Sequence, residues 1–442
     1  MAPDWPLFRE LTEAPGVSGY EAPVREVLAR HLAPLAERIG TDNLGSLIAQ
    51  RTGTSPRPRV MLAAHLDEIG FMVSHIDEGG FVRFQPIGGW WSQVMLAQRV
   101  RIYTSRGAVT GVIGAKPPHV LPPEERTRPV DMRDMFIDVG ATSRQEAEAL
   151  GIRPGDPVVP ASPFEPLGPP GSFLAKAWDN RAGCAILVEV MRRLSTVPHP
   201  NTLFAVATVQ EEVGLRGATT SVRAVAPDVA LVVDTTVATD TPGIDRGRLP
   251  ASCRMGGGPA ISLYDASMIP HLRLRDLVVE TAREHGIPVQ FDVMPGGGTD
   301  AGKIHTASTG VPTLTIGIPV RYIHSHVSVL RMTDLEHAAS LIVAVIRRLD
   351  GATVASLAGT EPPRVDGVAD GWQPAAAGAN SGGPASWGPG SGVGARWAPG
   401  PGGLGAGAPG PAGPGTWTAG PGPQVQGQPA PAAPSPAGPF QG

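Results

Sequence analysis

The sequence predicts an α/β protein with a mostly parallel sheet flanked by helices, an inserted unit like a small β-barrel, and a disordered C-terminal tail. Strand-like and helix-like segments alternate through residues 1–70 and 165–355, which is typical of a sheet covered on both faces. Residues 71–164 contain short β segments interrupted by glycines. Residues 356–442 are dominated by Gly, Pro and Ala, a composition that buries too little apolar surface to fold.

Apolar periodicity supports each element of the alternating part. Continuous apolar runs predict buried strands in RVMLAA, NTLFAVATVQ, DVALVVDTT and PTLTIGIP. Apolar residues at helical spacing predict helices in NRAGCAILVEVMRRL and in MTDLEHAASLIVAVIRRL, which closes the unit. An earlier helix is predicted to begin near Ser18, because Ser18 and Glu21 have the spacing of a capping box.

The insertion and the tail differ from this pattern in distinct ways. The insertion holds the segments GFMVSHIDEGGFVRFQPIGG, QRVRIYTSRGAVTGVIGA and MFIDVGA, with one short helix predicted in SRQEAEALGI. From Gly371 onward the tail carries a single charged residue, Arg396, and its glycines follow no strict period of three. A collagen-like helix is therefore not expected there.

Bulk composition narrows the class of protein. The length of 442 residues predicts two or more structural units, and the formal net charge of −4 argues against nucleic acid or a membrane as partner. No signal peptide is visible, and no apolar run approaches the roughly 20 residues that span a bilayer. The two distant cysteines, Cys184 and Cys253, favour a reduced cytoplasmic protein, although one disulfide remains compatible.

Acidic residues and histidines follow the predicted strands at the points where they end. They are His65, Asp67, Asp179, Glu211, Glu212, Asp234 and His324. If the strands run parallel, these ends meet in the crevice where open α/β sheets bind ligands. Each residue alone also fits a solvated loop or a helix cap, and Asp179 could simply cap the helix that begins near Asn180.

The chemistry of this set suits divalent cations. Histidine nitrogens mixed with carboxylate oxygens favour Zn, Co or Mn, and the lack of a thiolate argues against a purely structural zinc. Two cations held together would need a bridging carboxylate. The sequence therefore predicts a metal-dependent hydrolytic site.

Seven motifs then give the sequence a family resemblance. PGVSGYE, AAHLDEIGFMV, AWDNRAGC, VQEEVGLRGA, VVDTT, GGGTDAG and RYIHS occur in this order. Together they resemble the signatures of the M42 family of metallo-aminopeptidases, the tetrahedral aminopeptidases, across roughly residues 5–350. The resemblance implies a metallopeptidase fold that removes N-terminal residues from peptides. It also implies that residues 71–164 form a dimerisation domain, whose dimers often assemble into tetrahedral dodecamers.

The resemblance also assigns roles to single residues. Two divalent cations per subunit, Zn with Co or Mn as alternatives, would be held by His65, Asp179, Glu212, Asp234 and His324. His65 and Asp234 would hold one cation, Glu212 and His324 the other, with Asp179 bridging both. Glu211 would be the general base, and Asp67 would orient His65. Gly298, Thr299 and Asp300 of GGGTDA would belong to a substrate loop, or else to an ordinary glycine-rich turn.

The sequence departs from the family near His324 and Asp179. HSHVSV follows RYI where the family commonly has Ser-Pro-x-Glu after the histidine, so His326 stands close to the expected ligand. Trp178 precedes Asp179 where the family more often has Leu. Neither change removes an expected ligand.

Other functions fit parts of the sequence. A related di-zinc deacylase or carboxypeptidase would share the metal set and act on N-blocked substrates, and a glycosidase could use paired carboxylates. GGTDAGKI resembles a phosphate-binding loop, but Ile304 stands where that loop needs Ser or Thr. An inactive scaffold whose tail binds a partner is the remaining alternative.

Overall fold

The computed structural model describes residues 5–168, 170–249 and 251–358, so the predicted disordered tail lies almost wholly outside the described residues. The helices are α1 (Trp5–Glu13), α2 (Ala22–Leu32), α3 (Arg144–Ala149), α4 (Trp178–Leu194), α5 (Arg216–Val225), α6 (Leu272–Glu284), α7 (Ala301–Ile304), α8 (Met332–Arg348) and α9 (Gly351–Ala358). The strands in the first half are β1 (Arg38–Thr41), β2 (Leu47–Thr52), β3 (Arg59–His65), β4 (Gly70–Ile76), β5 (Val82–Ile87), β6 (Arg99–Thr104), β7 (Gly107–Gly114), β8 (Phe136–Asp138) and β9 (Pro157–Pro160). Those in the second half are β10 (Glu165–Pro166), β11 (Ser172–Ala175), β12 (Thr202–Thr208), β13 (Val229–Val237), β14 (Ala260–Asp265), β15 (Gln290–Met294), β16 (Thr313–Arg321) and β17 (Ser328–Arg331).

One mixed sheet forms the centre of the α/β unit, which confirms the predicted fold class. Within the described residues its eleven strands include the path β1-β2-β12-β3-β13-β16-β17-β11-β10, with β14 attached to β16 and β15 attached to β14. The central strands β12, β3, β13 and β16 are mutually parallel, whereas β1, β2 and β17 pair antiparallel with their neighbours. The parallel order predicted from the sequence thus holds at the centre, and antiparallel strands extend it on both sides.

Two apolar layers cover the sheet because its central strands are buried on both faces. Apolar side chains of α1, α2, α4, α6 and α8 pack together on one face, where the core includes Leu28, Leu187 and Ile342. A smaller cluster on the other face contains Met61 and Val232 with residues of α5 and α7. Burial of these residues fixes the sheet between its helices.

The insertion closes into a barrel of six strands in the order β4-β5-β8-β7-β6-β9. Its interior is filled by an apolar cluster of its own, which includes Phe71, Val100 and Ile137. The helix α3 begins after Ser143, whose side chain accepts a hydrogen bond from the backbone N–H of Glu146. β4 begins five residues after β3 ends, so the barrel is tied directly to a central strand of the sheet.

None of the helices in the described residues combines the length and hydropathy that a transmembrane helix needs.

Candidate active site

The carboxyl ends of the central strands carry most of the residues predicted to form the site. His65 is the last residue of β3, and Asp67 follows it by two positions. Glu211 and Glu212 lie in the turn after β12, while Asp234 lies within β13. Because β3, β12 and β13 are parallel neighbours, these side chains emerge at one edge of the sheet.

Asp179 and His324 reach the same edge from the other side of the sheet. β11 is antiparallel to β17, and β17 is antiparallel to β16, so β11 and β16 point the same way. Asp179 follows β11 at the start of α4, where its backbone is not helical. The side chain of Asn180, and not that of Asp179, accepts the hydrogen bond from Gly183 N (3.0 Å), so Asp179 is no helix cap.

Two groups of donor atoms meet at Asp179. His65, Asp179 and Asp234 form one group, and Asp179, Glu212 and His324 form the other, with the donor atoms of each group within 4.8 Å of one another. His65 Nε2 lies 3.2 Å from Asp179 Oδ1 and 3.6 Å from Asp234 Oδ1. His324 Nε2 lies 3.3 Å from Asp179 Oδ2 and 3.4 Å from Glu212 Oε2. The two oxygens of Asp179 therefore face different groups.

Glu211 belongs to neither group, although it is the neighbour of Glu212. Its Oε2 lies 3.9 Å from His65 Nε2, and only 8 % of its side chain is exposed. The two adjacent glutamates thus occupy different positions in the site: one completes a donor group, and the other stands beside it.

Asp67 holds the turn that carries both glutamates. Its Oδ1 accepts from Glu211 N (2.9 Å), and its Oδ2 accepts from Glu212 N (3.1 Å) and from the Ser18 hydroxyl (2.6 Å). The ring of His65 donates from Nδ1 to the Asp67 backbone oxygen (3.0 Å), with Oδ1 of Asp67 at 3.5 Å. Orientation of His65 therefore comes mainly from the backbone at Asp67, while the carboxylate fixes the glutamate turn.

The predicted capping box at Ser18 and Glu21 is wrong. Ser18 bonds Asp67, and the helix α2 begins at Ala22 without a side-chain cap. Glu21 Oε1 accepts instead from Gly19 N (2.8 Å) and from Gln210 N (3.0 Å). Tertiary partners outcompeted the local motif, and both residues support the turn that leads to Glu211.

Burial and mutual repulsion oppose ionisation of three carboxyls in the site. Burial, then the nearby Asp179 charge, raises the pKa of Glu212 to about 8. Burial also raises the pKa of Glu211 well above its usual value, with the charge of Asp234 adding to it and that of His65 opposing it. The pKa of Asp234 is raised, again mainly by burial. These raised pKa values come first from burial, with neighbouring carboxylates adding to the effect.

The histidines and the central carboxylate shift the other way. Burial opposes the charged form of His324, but Asp179 and Glu212 outweigh it and raise its pKa to about 9. The pKa of His65 is likewise raised well above its usual value by Glu211, Asp179 and Asp234, against burial. Desolvation opposes the ionised form of Asp179, yet its hydrogen bonds to His324 and His65 lower its pKa.

The donor set fits divalent cations. Within the described part of the chain, the ion pairs of Asp179, Glu211, Glu212 and Asp234 are with histidines only, and no lysine or arginine neutralises them. Four carboxylates, none more than 12 % exposed, beside two imidazoles leave a negative surplus, which cations offset. Mixed nitrogen and oxygen donors are also those that divalent transition metals accept.

Left-handed backbone conformations flank the site. Ala177, Gln210 and His324 have φ values of 55°, 55° and 56°. Residues with side chains adopt this region at an energetic cost of order 1–3 kcal/mol, and such residues cluster at functional sites. Here the unusual conformation lies at His324 itself and just before Asp179 and Glu211.

The barrel also reaches the site, through a glycine pair that sequence reasoning missed. A Cβ on Gly88 (φ +79°) would lie 2.5 Å from Ile69 and 3.4 Å from Glu212 Oε2, and one on Gly89 would lie 3.0 Å from His324 Nδ1. The backbone of Gly89 also forms a hydrogen bond with His324. Only residues without side chains allow this close approach.

His326, the nearby histidine, lies outside both donor groups. It is buried, and its ring centroid lies 5.1 Å from that of Trp90 and 6.3 Å from that of Phe71, both in the barrel segment. Burial lowers its pKa to about 4. His326 is therefore a neutral aromatic contact between barrel and sheet.

A cavity of about 680 Å³ opens in front of the donor groups. Gly298 and Thr299, two of the residues predicted to form a substrate loop, line this cavity. Asp300 does not line it; its carboxylate is buried behind the loop and accepts from the Thr208 hydroxyl. Ile304, at the position where a phosphate-binding loop needs a hydroxyl, is fully buried, so the nucleotide-binding reading has no support.

Sequence comparison with known families agrees with this geometry. The family model described as M42 glutamyl aminopeptidase matches residues 45–341. The glutamyl aminopeptidase of Lactococcus lactis subsp. cremoris is 36% identical over 79% of this chain and 97% of its own length. The lysyl aminopeptidase of Pyrococcus furiosus is 35% identical over 78% of this chain and 97% of its own. Relatives named as aminopeptidases do not favour the deacylase or carboxypeptidase alternative.

Solved structures match over the same region. A TET aminopeptidase from a marine sediment Thaumarchaeota archaeon has a TM-score of 0.78 and 46% identity, covering 80% of this chain and 98% of its own. The Pyrococcus horikoshii TET1 peptidase, described as assembling into a tetrahedron or a large octahedral shell, has a TM-score of 0.69 and 32% identity, covering 78% and 99%. With its donor groups and these matches, the chain belongs to the M42 peptidase family and is a metal-dependent aminopeptidase.

Proposed function

We propose that this aminopeptidase works with two divalent cations held side by side, zinc with cobalt or manganese as alternatives. The observation that carries the proposal is Asp179, which turns one carboxylate oxygen toward each of the two donor groups. His65 and Asp234 would complete one site, and Glu212 and His324 the other. When bound, such a pair supplies Lewis acidity, which lowers the pKa of a water and polarises the scissile carbonyl.

Glu211 is the proposed general base. It stands next to the donor groups without belonging to either, and its raised pKa suits a carboxyl that accepts and returns a proton near neutral pH. Its carboxylate would take a proton from the attacking water and give it to the nitrogen of the leaving amine. The peptide bond then breaks, and a free amino acid and a shortened peptide are released.

Asp67 is the proposed positioning residue for this base. Its carboxylate binds the backbone N–H groups of Glu211 and Glu212, and so sets the direction in which each glutamate points. Gly298 and Thr299 would receive the substrate, while Asp300 would support their loop from behind through Thr208.

The barrel of residues 71–164 is proposed to mediate self-association. The Pyrococcus horikoshii TET1 peptidase, described as assembling into a tetrahedron or a large octahedral shell, supports this proposal because 78% of this chain matches it. A homo-oligomer built from dimers, with a tetrahedral dodecamer as one expected assembly, should be found by light scattering after size-exclusion chromatography. A monomer at micromolar concentration would contradict this part of the proposal.

A panel of aminoacyl-anilides tests the function directly. Each anilide is assayed with the protein as isolated, after complete chelation, and after adding back Zn, Co or Mn. Cleavage should stop on chelation and return with at least one of the three metals. Unchanged cleavage by metal-free protein would contradict the metal-dependent mechanism.

N-acetylated anilides and peptides with a blocked N-terminus are the matched controls. The proposed exopeptidase leaves them intact, since it acts at a free α-amino group. A deacylase or carboxypeptidase would instead release amino acids from the blocked substrates and not from the free amines.

A further inference from the structure

We propose that the cavity accepts a neutral, apolar N-terminal side chain and that Met294 is a specificity-determining residue. This inference rests on the proposed function, because the cavity in front of the donor groups is taken to hold the substrate's N-terminal residue. The family description names glutamyl substrates, and the Pyrococcus furiosus relative is named for lysyl substrates. The wall of this cavity provides a counterion for neither.

The charged residues of the lining are all members of the site already described. They are His65, Asp179, Glu211, Glu212, Asp234 and His324. Among the residues that the structure describes, the rest of the lining is apolar, glycine or hydroxyl-bearing. The apolar side chains are Leu215, Val237, Ala266, Met294 and Ile323. No arginine or lysine belongs to this described lining, so a substrate carboxylate would find no cation.

The polar side chains in the wall are largely occupied by partners inside the protein. Ser267 Oγ donates to Asp265 Oδ1 (2.6 Å), and Thr299 Oγ1 donates to Asp265 Oδ2 (3.3 Å). The hydroxyl of Thr235 is the exception: it is buried and has no hydrogen-bond partner among the described residues. It is neutral, however, and offers no charge to a substrate. The wall therefore presents mainly carbon and backbone atoms.

The other acids near the wall are engaged by partners inside the protein and cannot receive a lysine side chain. Asp292, on the same strand as Met294, accepts from the Thr236 hydroxyl. Asp265 is buried, and both of its oxygens already accept hydrogen bonds from Ser267 and Thr299. Asp300 lies behind the loop, with 1 % exposure. A substrate ammonium would therefore lose its water without gaining an ion pair.

The cation at the end of β16 is likewise engaged. Arg321, two residues before Ile323 of the lining, binds Asp240 through two parallel hydrogen bonds of 2.8 Å and 2.6 Å. Such a bidentate pair holds the guanidinium in place. It leaves no free charge here for a glutamate side chain.

Met294 lies where it can determine which N-terminal side chains fit the cavity. It is the last residue of β15, immediately before the glycine loop that forms the wall. A Cβ added to Gly297 would lie 3.6 Å from both Sδ and Cε of Met294, so the thioether lies against this loop. A flexible, polarizable methionine adapts to apolar side chains of different shapes.

The test compares kcat/KM for leucyl, glutamyl and lysyl anilides with the metal-loaded protein. Burying an unpaired charge is costly, so the leucyl substrate should be favoured over both charged ones by at least roughly 100-fold. Met294→Arg should lower the leucyl-to-glutamyl ratio by at least roughly 10-fold, since it adds the missing cation, and Met294→Glu should do the same for lysyl. Product inhibition by free leucine, glutamate and lysine gives a readout independent of turnover and should follow the same order.

Phe291→Arg is the matched control. Phe291 lies on the same strand, is 43% exposed and does not line the cavity. The same added charge there should leave all substrate ratios within roughly 2-fold of the parent. A ratio change equal to that of Met294→Arg would overturn the assignment of Met294.

The outcomes separate this inference from the function on which it rests. Cleavage of glutamyl or lysyl substrates at least as fast as leucyl overturns the inference and leaves the aminopeptidase intact. Cleavage of none of the three overturns both. Should Met294→Arg unfold, as thermal melting would reveal, Met294→Lys and Leu215→Arg carry the same prediction.

Discussion

Two buried charge clusters lie next to each other in this protein, and they are balanced in opposite ways. In the first, Lys176 Nζ lies 2.7 Å and 2.8 Å from the two oxygens of Glu68, and Arg181 Nη2 lies 3.4 Å from Glu68 Oε1. No side chain of these three is more than 4 % exposed. The second cluster is the donor set around Asp179, whose ion pairs within the described chain are with histidines alone.

The difference teaches what each cluster is for. The Glu68 cluster carries its own cations and ties the exit of β3 to the start of α4: Arg181 donates to Leu66 O (2.7 Å) and Leu11 O (2.5 Å). The Asp179 cluster has more negative charge than its neighbours offset, and this charge adds to burial in raising the pKa of Glu212. The Glu68 cluster, whose charges balance, stabilises the fold, whereas the Asp179 cluster, with its excess of negative charge, is suited to binding cations.

The largest expected effect follows from removing the carboxylate that both donor groups share. Asp179→Asn should release metal from both groups and lower kcat/KM by more than roughly 1,000-fold, beyond the 10–100-fold typical of residues that only support a ligand. Metal content by elemental analysis and steady-state kinetics measure this. Asp131→Asn, an exposed change of the same chemistry in the barrel segment, should alter neither.

Breaking the balanced cluster should lower stability instead of metal content. Glu68→Gln leaves Lys176 and Arg181 buried without their anion, so the free energy of unfolding should fall by about 3–5 kcal/mol. Urea unfolding of chelated protein measures this without any contribution from metal. Adding Lys176→Met to Glu68→Gln should recover part of the loss, because one of the two unpaired cations disappears. A double variant less stable than the single one would contradict the charge balance.

Asp67, the residue before Glu68, holds the turn that carries Glu211 and Glu212. Asp67→Asn keeps one acceptor oxygen and loses the other, so kcat/KM should fall about 10–100-fold through misplacement of Glu211 and Glu212. Ser18→Ala removes only one of the three donors to Asp67 and should have a smaller effect. Equal losses in the two variants would show that the turn is positioned by something else.

The smallest expected effect is the pH dependence of the metal-free protein. The pKa of Glu212 rises from 4.5 to about 8, so its destabilising ionisation is absent below 4.5 and complete above about 8. The pKa of His324 rises from 6.5 to about 9, so the stability it adds below 6.5 is lost as the pH passes 9. Both effects lower stability as pH rises from about 5 to 9. Because the His324 side chain is 39 % exposed, solvent screens its contribution, and the sum should be on the order of 1 kcal/mol.

Urea midpoints of chelated protein at several pH values measure this slope. Glu212→Gln should flatten it, because the substituted group no longer ionises. Bound metal should flatten it as well, since the carboxylates are then neutralised. A slope of the same size in all three samples would assign the pH dependence to groups outside the site.

The location of the site could be predicted from the sequence, because the site residues follow the ends of apolar strands. His65, Glu211 and Asp234 could be read as one edge once β3, β12 and β13 were taken as parallel. The alternation of strand-like and helix-like segments also predicted the fold class. The antiparallel flanks were not readable, since the runs that form β1 and β17 are only four residues each.

The contacts that hold the site residues in place could not be predicted from the sequence, because they come from distant parts of the chain. Ser18 and Asp67 are 49 residues apart, and Glu21 and Gln210 are 189 apart, so a local motif suggested the wrong partners. The approach of Gly89 to His324 and the pairing of Lys176 with Glu68 depend equally on tertiary structure. Local patterns predict where functional side chains lie along a strand, but not which groups hold them.

The most direct test of the account is to compare Glu211→Gln with Glu212→Gln. Both variants remove one negative charge from adjacent positions, so charge alone does not distinguish them. Metal content and kcat are measured together on each. The account predicts that Glu211→Gln keeps both metals and loses turnover by roughly 100-fold or more, whereas Glu212→Gln loses one metal. A Glu211→Gln enzyme that stays fully active, or that loses metal as Glu212→Gln does, would contradict the division between base and ligand.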